Sequence, residues 1–160
     1  MQIDVSKIQI REIGPDEVDL LTTYRMAYLT ELQGEQSDEY QQKLQIELNQ
    51  YFTQALAENR FFAFLAELKG EILGFGAMVI KKIPGDFKQP FYLEGDILNM
   101  YTVPFARRKG ISALILQQLL NEAHYRGISK VALHTTKAGE KLYRKFGFSD
   151  SIYPVLELCL

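Results

Sequence analysis

The stretch Val103-Pro104-Phe105-Ala106-Arg107-Arg108-Lys109-Gly110-Ile111-Ser112-Ala113-Leu114 decides how the rest of the chain is read. A strand-like run ends at Val103 and a helix-like run begins near Ile111, with a basic turn and a glycine between them. A helix start leaves backbone N–H groups without intrahelical partners, and its partial positive charge favours an anion. Gly110 has no Cβ to hold an anion off its backbone, and Arg107, Arg108 and Lys109 add positive charge. By spacing alone two readings stand side by side: a phosphate cradle, and a surface turn of solvated cations.

On either side of this turn the chain alternates between the two periodicities. Phe91 to Val103 reads as a long strand, and Gly110 to about Arg126 as an apolar helix that packs on a sheet. A strand over Lys130–Thr135 follows, then a helix over Ala138–Phe146 closed by Gly147, then a last strand over about Pro154–Leu158. On the N-terminal side, Ile8 and Ile10 alternate with polar neighbours as a first strand. Pro15-Asp16-Glu17 opens a helix to about Leu32, and a second helix spans Glu39–Glu58. Phe61–Leu68 and Ile72–Ile80 read as strands joined by a Lys69-Gly70 hairpin turn, and Pro84-Gly85-Asp86 opens a loop to about Pro90.

The order is therefore β-α-α-β-β-β-α-β-α-β. Hairpins make antiparallel neighbours, and the crossover helix after Val103 makes its flanking strands parallel. The expectation is an α/β chain with a mixed sheet, forming one domain over residues 1–160.

Bulk properties bound the function. The chain has 160 residues and a hydrophobic fraction of 47%, enough for a core. Lys plus Arg number 18 against 20 for Asp plus Glu, a net charge of -2, which argues against a general nucleic-acid partner. No apolar run approaches the roughly 20 residues that span a bilayer. The N-terminus shows no secretory pattern, and a cytoplasmic protein is expected. The single cysteine, Cys159, is expected to be a buried or partly buried thiol rather than a nucleophile. With the histidines His124 and His134 far apart, no metal site is expected.

Two motifs carry a resemblance. Arg107-Arg108-Lys109-Gly110-Ile111-Ser112 is similar to the Arg/Gln-x-x-Gly-x-Gly/Ala core of the GCN-five-related N-acetyltransferases, with Ser112 in place of the usual glycine or alanine. Further on, Leu142-Tyr143-Arg144-Lys145-Phe146-Gly147-Phe148 resembles the family's Leu-Tyr-x-x-x-Gly-Phe ending. The resemblance implies the family's fold, with antiparallel N-terminal strands and a parallel pair that splays apart. It implies acetyl-CoA as cosubstrate, the loop amides of Arg108, Lys109, Gly110, Ile111 and Ser112 holding the pyrophosphate, and Arg107 opening the motif. It also implies a bulged strand on which Met100, Tyr101 and Thr102 meet the pantetheine arm. The Asn-x-x-Ala element of many members is missing here, and Thr136 is the substitute at that place.

The activity implied is transfer of an acetyl group to a primary amine of a small molecule, amino acid derivative or peptide, by direct attack. The alternative is a non-catalytic acyl-CoA sensor or scaffold with the same fold. Tyr143 matches the family's general acid, the favoured role in its Leu142-Tyr143 and Gly147-Phe148 context; the alternative is a tyrosine packed against the core with its hydroxyl at the rim. Candidates for the base are Asp96, which shares strand parity with Leu98 and Met100, then Glu94, His134 or water. Tyr24, Arg25 and Tyr28 lie on the first helix, where members bind the acceptor, or form a solvated face. A homodimer is the expected partner arrangement.

Overall fold

The computed structural model describes residues 3–88 and 91–160. Lys69 and Gly70 take positive φ values of 53 and 81, the conformation a two-residue hairpin turn requires. That turn folds β2 (Phe61–Leu68) antiparallel onto β3 (Glu71–Pro84). β1 (Gln9–Glu12) lies antiparallel on the other side of β2, and β4 (Phe91–Thr102) antiparallel on β3. β5 (Ile128–Ala132) pairs parallel with β4, which completes a five-stranded sheet in the order β1-β2-β3-β4-β5.

Helices cover both faces. On one face α1 (Val18–Gln33) and α2 (Asp38–Ala57) place Leu21 and Phe52 against Phe61, Leu65, Phe75 and Ala77. On the other, α3 (Ile111–Tyr125) sets Ile115, Leu116 and Leu119 on Phe62, Met78 and Ile97, with Leu142 and Tyr143 of α4 (Lys137–Lys145) at the margin. Gly76 allows α3 to come this close: a Cβ there would lie 2.6 Å from Met100 Sδ and 2.7 Å from Ile115 Cγ2.

Two irregularities of β4 shape everything downstream. Pairing with β5 stops at Asp96 opposite Ala132, so the following residues of β4 have no strand partner on that side among the described residues. This is the splayed parallel pair. In the same stretch Ala77 pairs with Leu98 and Phe75 with Tyr101, so Asn99 and Met100 both oppose Gly76. Asn99 makes this bulge by adopting a left-handed φ of 59, which asparagine tolerates better than most residues.

Several boundaries differ from those expected. β3 continues to Pro84, and the expected loop starts later; Gln89 and Pro90 lie outside the described residues. β5 begins and ends earlier than Lys130–Thr135, because its ladder to β4 runs only from Ile128 to Ala132. His134 is therefore exposed beyond the strand, in the connection to α4. The expected last strand over Pro154–Leu158 does not form: residues 149–160 pair with no strand among the described residues. Apolar side chains make a strand only where a ladder partner satisfies the backbone, and here Ile152, Tyr153, Val155, Leu156, Leu158 and Leu160 stand exposed. Cys159, expected to be at least partly buried, is exposed for the same reason. Among the described residues, no helix is long and apolar enough to cross a membrane.

Candidate active site

The basic turn builds a concave N–H surface. After a short 3-10 turn over Pro104–Ala106, Arg108 takes a φ of 61 and Gly110 a φ of 81 with ψ 5, left-handed conformations that curl the chain into the start of α3. Gly110 is the N-cap of α3, and no side chain caps it. The first helical amide to reach a carbonyl is that of Leu114, which donates to Gly110 O at 3.2 Å. The amides of Ile111, Ser112 and Ala113 thus face outward. Nothing lies within 4 Å of where a Gly110 Cβ would be, so the cradle is open above the glycine.

Thr102, Arg107, Arg108, Gly110, Ile111 and Ser112 line an open cleft of about 180 Å³, with Ala106, Ala113 and Leu142 completing its wall. The Thr102 and Ser112 hydroxyls hydrogen-bond each other at 2.9 Å. One of the two keeps a hydrogen free to donate into the cleft. Arg107 turns its guanidinium away from the loop. Nε donates to Thr102 O at 2.9 Å, Nη2 pairs with Glu31 at 2.6 Å, and the group lies 5.8 Å from the centre of the Tyr101 ring. It clamps the end of β4 to the end of α1, and the Glu31 carboxylate holds its pKa up. Lys109 is half-buried and does not line the cleft.

The bulge redistributes the residues of β4. Leu98 and Tyr101 face α1 and α2, whereas Met100 packs toward α3 against Ile115 and Leu119. Asp96 pairs across the ladder with Val79 and shares Leu98's face, but not that of Met100. The uniform parity expected from Asp96 through Met100 is broken because the extra residue at Asn99 resets the alternation. Asp96 pairs with Lys81 Nζ at 2.7 Å, and Glu94 with Lys130 Nζ at 2.6 Å.

Tyr143 sits on α4 about two turns beyond Thr136, whose hydroxyl caps that helix by accepting from Gly139 N. Its ring meets Phe148 edge-on at 5.8 Å, the contact made by the Gly147-Phe148 ending. Burial raises its pKa to about 12, and nearby Tyr28 of α1 adds to the effect. At neutral pH it is a phenol, and its hydroxyl hydrogen-bonds to no described residue.

Asn99 does not stand out in the sequence; the signal it offers is an asparagine inside an apolar strand run, next to Met100. It is 5% exposed, and its side chain accepts from the half-buried Arg25 of α1. Tyr24, Arg25 and Tyr28 form no solvated face: all are partly buried, and Tyr24 stacks on Phe75 at 6.1 Å. Among the described residues no group of three or more His, Cys, Asp or Glu is placed to hold a metal ion.

The cleft thus lies at the start of α3 and the end of an opened parallel pair, with Leu142 in its wall and Tyr143 the next residue along α4. The chain belongs to the GNAT acetyltransferase family, whose model matches residues 25–148. It is similar to a predicted acetyltransferase from Clostridium acetobutylicum, solved with acetyl-CoA: identity is 31%, 95% of this chain and 96% of that one are covered, and the TM-score is 0.82. It is also similar to a GCN5-related N-acetyltransferase from Ralstonia eutropha JMP134, at 24% identity, 94% and 98% coverage and a TM-score of 0.78. An aminoglycoside acetyltransferase from an uncultured soil metagenomic sample shares the fold at 19% identity, 96% and 99% coverage and a TM-score of 0.68. No curated protein matches the chain.

Proposed function

We propose that this chain moves the acetyl group of acetyl-CoA to a primary amine of a small molecule by direct attack. The observation that carries this reading is the conjunction of the open amide cradle at Gly110 with a neutral Tyr143 whose hydroxyl has no partner among the described residues. The outward amides of Ile111, Ser112 and Ala113 fit a diphosphate, as does a glycine with open space above it. The loop from Arg108 to Ser112 would hold the pyrophosphate, and the unpaired edge of β4 at Met100, Tyr101 and Thr102 would hold the pantetheine arm as an added strand. Arg107 keeps strand and helix in register for both.

When bound, acetyl-CoA supplies an acetyl group activated as a thioester. In the transfer, the C–N bond forms as the C–S bond breaks, and the electron pair leaves on sulfur. Tyr143 holds a proton on Oη for that thiolate, and its raised pKa keeps the proton in place at working pH. The bulge frees the backbone around Met100 from a regular ladder, and its N–H is the donor assigned to the thioester carbonyl. Asp96, on the sheet face that carries α1, is the carboxylate assigned to receive the amine's proton, with water between them. Glu94 is paired with Lys130 as Asp96 is with Lys81, but it lies two residues further from the bulge, and His134 lies beyond the strand.

The test uses acetyl-CoA labelled in the acetyl group and a panel of amines. Mass spectrometry should find the label on an amine nitrogen and none on the protein. Label retained on a side chain during turnover would contradict direct attack.

A further inference from the structure

Arg25 stands out among the cations. Every other arginine except Arg108, which belongs to the cradle, pairs with a carboxylate: Arg11, Arg60, Arg107, Arg126 and Arg144. Arg25 pairs with none among the described residues, although it is half-buried and burial lowers its pKa. Its side chain donates instead to Asn99 Oδ1. A guanidinium only donates, so this bond fixes the amide with its oxygen toward Arg25. Asn99 Nδ2 is then left buried with no partner among the described residues. The groups close enough to influence Arg25 electrostatically are the phenols of Tyr28 and Tyr51, not acids.

Two donor groups thus converge at the bulge of β4 with hydrogens to spare and no further acceptor among the described residues. Leaving a buried donor unmatched is costly, as is stripping water from an unpaired guanidinium. A ligand that restores the balance must bring acceptor oxygens and negative charge, and a planar carboxylate matches the guanidinium fork. The place is next to the chemistry. Arg25 and Tyr28 lie one helical turn apart on α1, and Tyr28 is near enough to Tyr143 to influence its titration.

We propose that Arg25 and Asn99 bind a carboxylate carried by the acceptor, so that the amine acetylated is that of an amino acid or a similar amino-carboxylate. This rests on the transferase reading above and narrows it. The carboxylate is not consumed; it holds the amine at the reacting end of β4.

The experiment compares α-amino acids with their amino alcohols, in which the amine is kept and the carboxylate is lost. For the best pair, kcat/KM should favour the acid by roughly 10- to 100-fold, mostly through KM, as expected for a charge-assisted contact. Arg25→Gln should collapse that ratio toward one. Asn99→Asp is the second variant: aspartate also tolerates the left-handed backbone and places an internal carboxylate against Arg25, so the preference should disappear with Arg25 still present. Calorimetric titration of the same pairs into the protein saturated with coenzyme A reads the preference without turnover. Transfer to amines with an acid-to-alcohol ratio near one would overturn the carboxylate site and leave the transferase standing. Binding of an amino acid over its alcohol without any transfer would do the reverse. Neither transfer nor acid binding across the panel would overturn both.

Discussion

At the scale of single residues, the proposed function rests most heavily on Tyr143 and Gly110. Removing the Tyr143 hydroxyl while keeping the ring against Phe148 isolates the proton. Tyr143→Phe should lower kcat by about 10²-fold or more, the usual contribution of a general acid, with the KM for acetyl-CoA little changed. Unchanged kcat in a chemistry-limited assay would remove Tyr143 as the acid. A phenol whose pKa is raised from 10.0 to about 12 stays protonated through the working range. The wild-type rate should therefore climb as the amine deprotonates and then hold its plateau to about pH 10. An alkaline limb near neutrality that vanishes in Tyr143→Phe would contradict this. The same shift bears on stability: with the folded value above the unfolded one, the contribution is whole below pH 10 and is lost as pH rises through about 12.

Gly110 is tested by charge and backbone together. Its φ of 81 is strained for any side chain, and a carboxylate there would stand in the cradle. Gly110→Glu should weaken coenzyme A binding by at least about tenfold, the scale of one lost charge-assisted contact. Native affinity by titration would mean that the anion binds elsewhere. Both residues are legible in the sequence, because each sits in a motif whose chemistry depends on residue type and spacing. The Arg25–Asn99 pair is not, because partners 74 residues apart meet only through the bulge.

Among the elements, β4 illustrates what periodicity does and does not carry. Its existence, its hairpin with β3 and its crossover to β5 follow from alternation and from the helix between them. The bulge does not, because a register shift depends on the opposing strand, here on Gly76 facing both Asn99 and Met100. That glycine yields a prediction for this element. Gly76→Ala would place a methyl 2.6 Å from Met100 Sδ and 2.7 Å from Ile115, forcing α3 and the bulge apart. Thermal unfolding should show a loss of roughly 1–3 kcal/mol, typical of overpacking. Stability equal to wild type would mean that α3 seats less tightly on the sheet than described. The early end of β5 has the same origin: β-branched Thr135 reads as strand, yet β4 offers no ladder partner beyond Asp96, opposite Ala132.

At the scale of the whole molecule, the sheet has an open outer edge at β5, and the chain has an exposed apolar tail. Each supplies what the other lacks, and a second copy related by a twofold axis would satisfy both at once. Burying Ile152, Tyr153, Val155, Leu156, Leu158 and Leu160 of two tails approaches the roughly 1,200–2,000 Å² of a stable interface. On this ground we propose a homodimer joined through the tails. Analytical ultracentrifugation should show a dimer at micromolar concentration and a monomer after truncation beyond Ser151. A monomer of the 160-residue chain would contradict this arrangement. The tail also shows what an apolar run overstates: its residues suit a strand, but a strand is a property of a pair.

The claim on which the rest depends is catalysis rather than storage of an acyl group. The most direct measurement is the release of free coenzyme A thiol from acetyl-CoA over time, with and without added amine. Steady, amine-dependent release over many turnovers is the predicted result, strongly reduced in Tyr143→Phe. Tight binding of acetyl-CoA with no amine-dependent release across a broad panel would contradict it and make the protein a binding module.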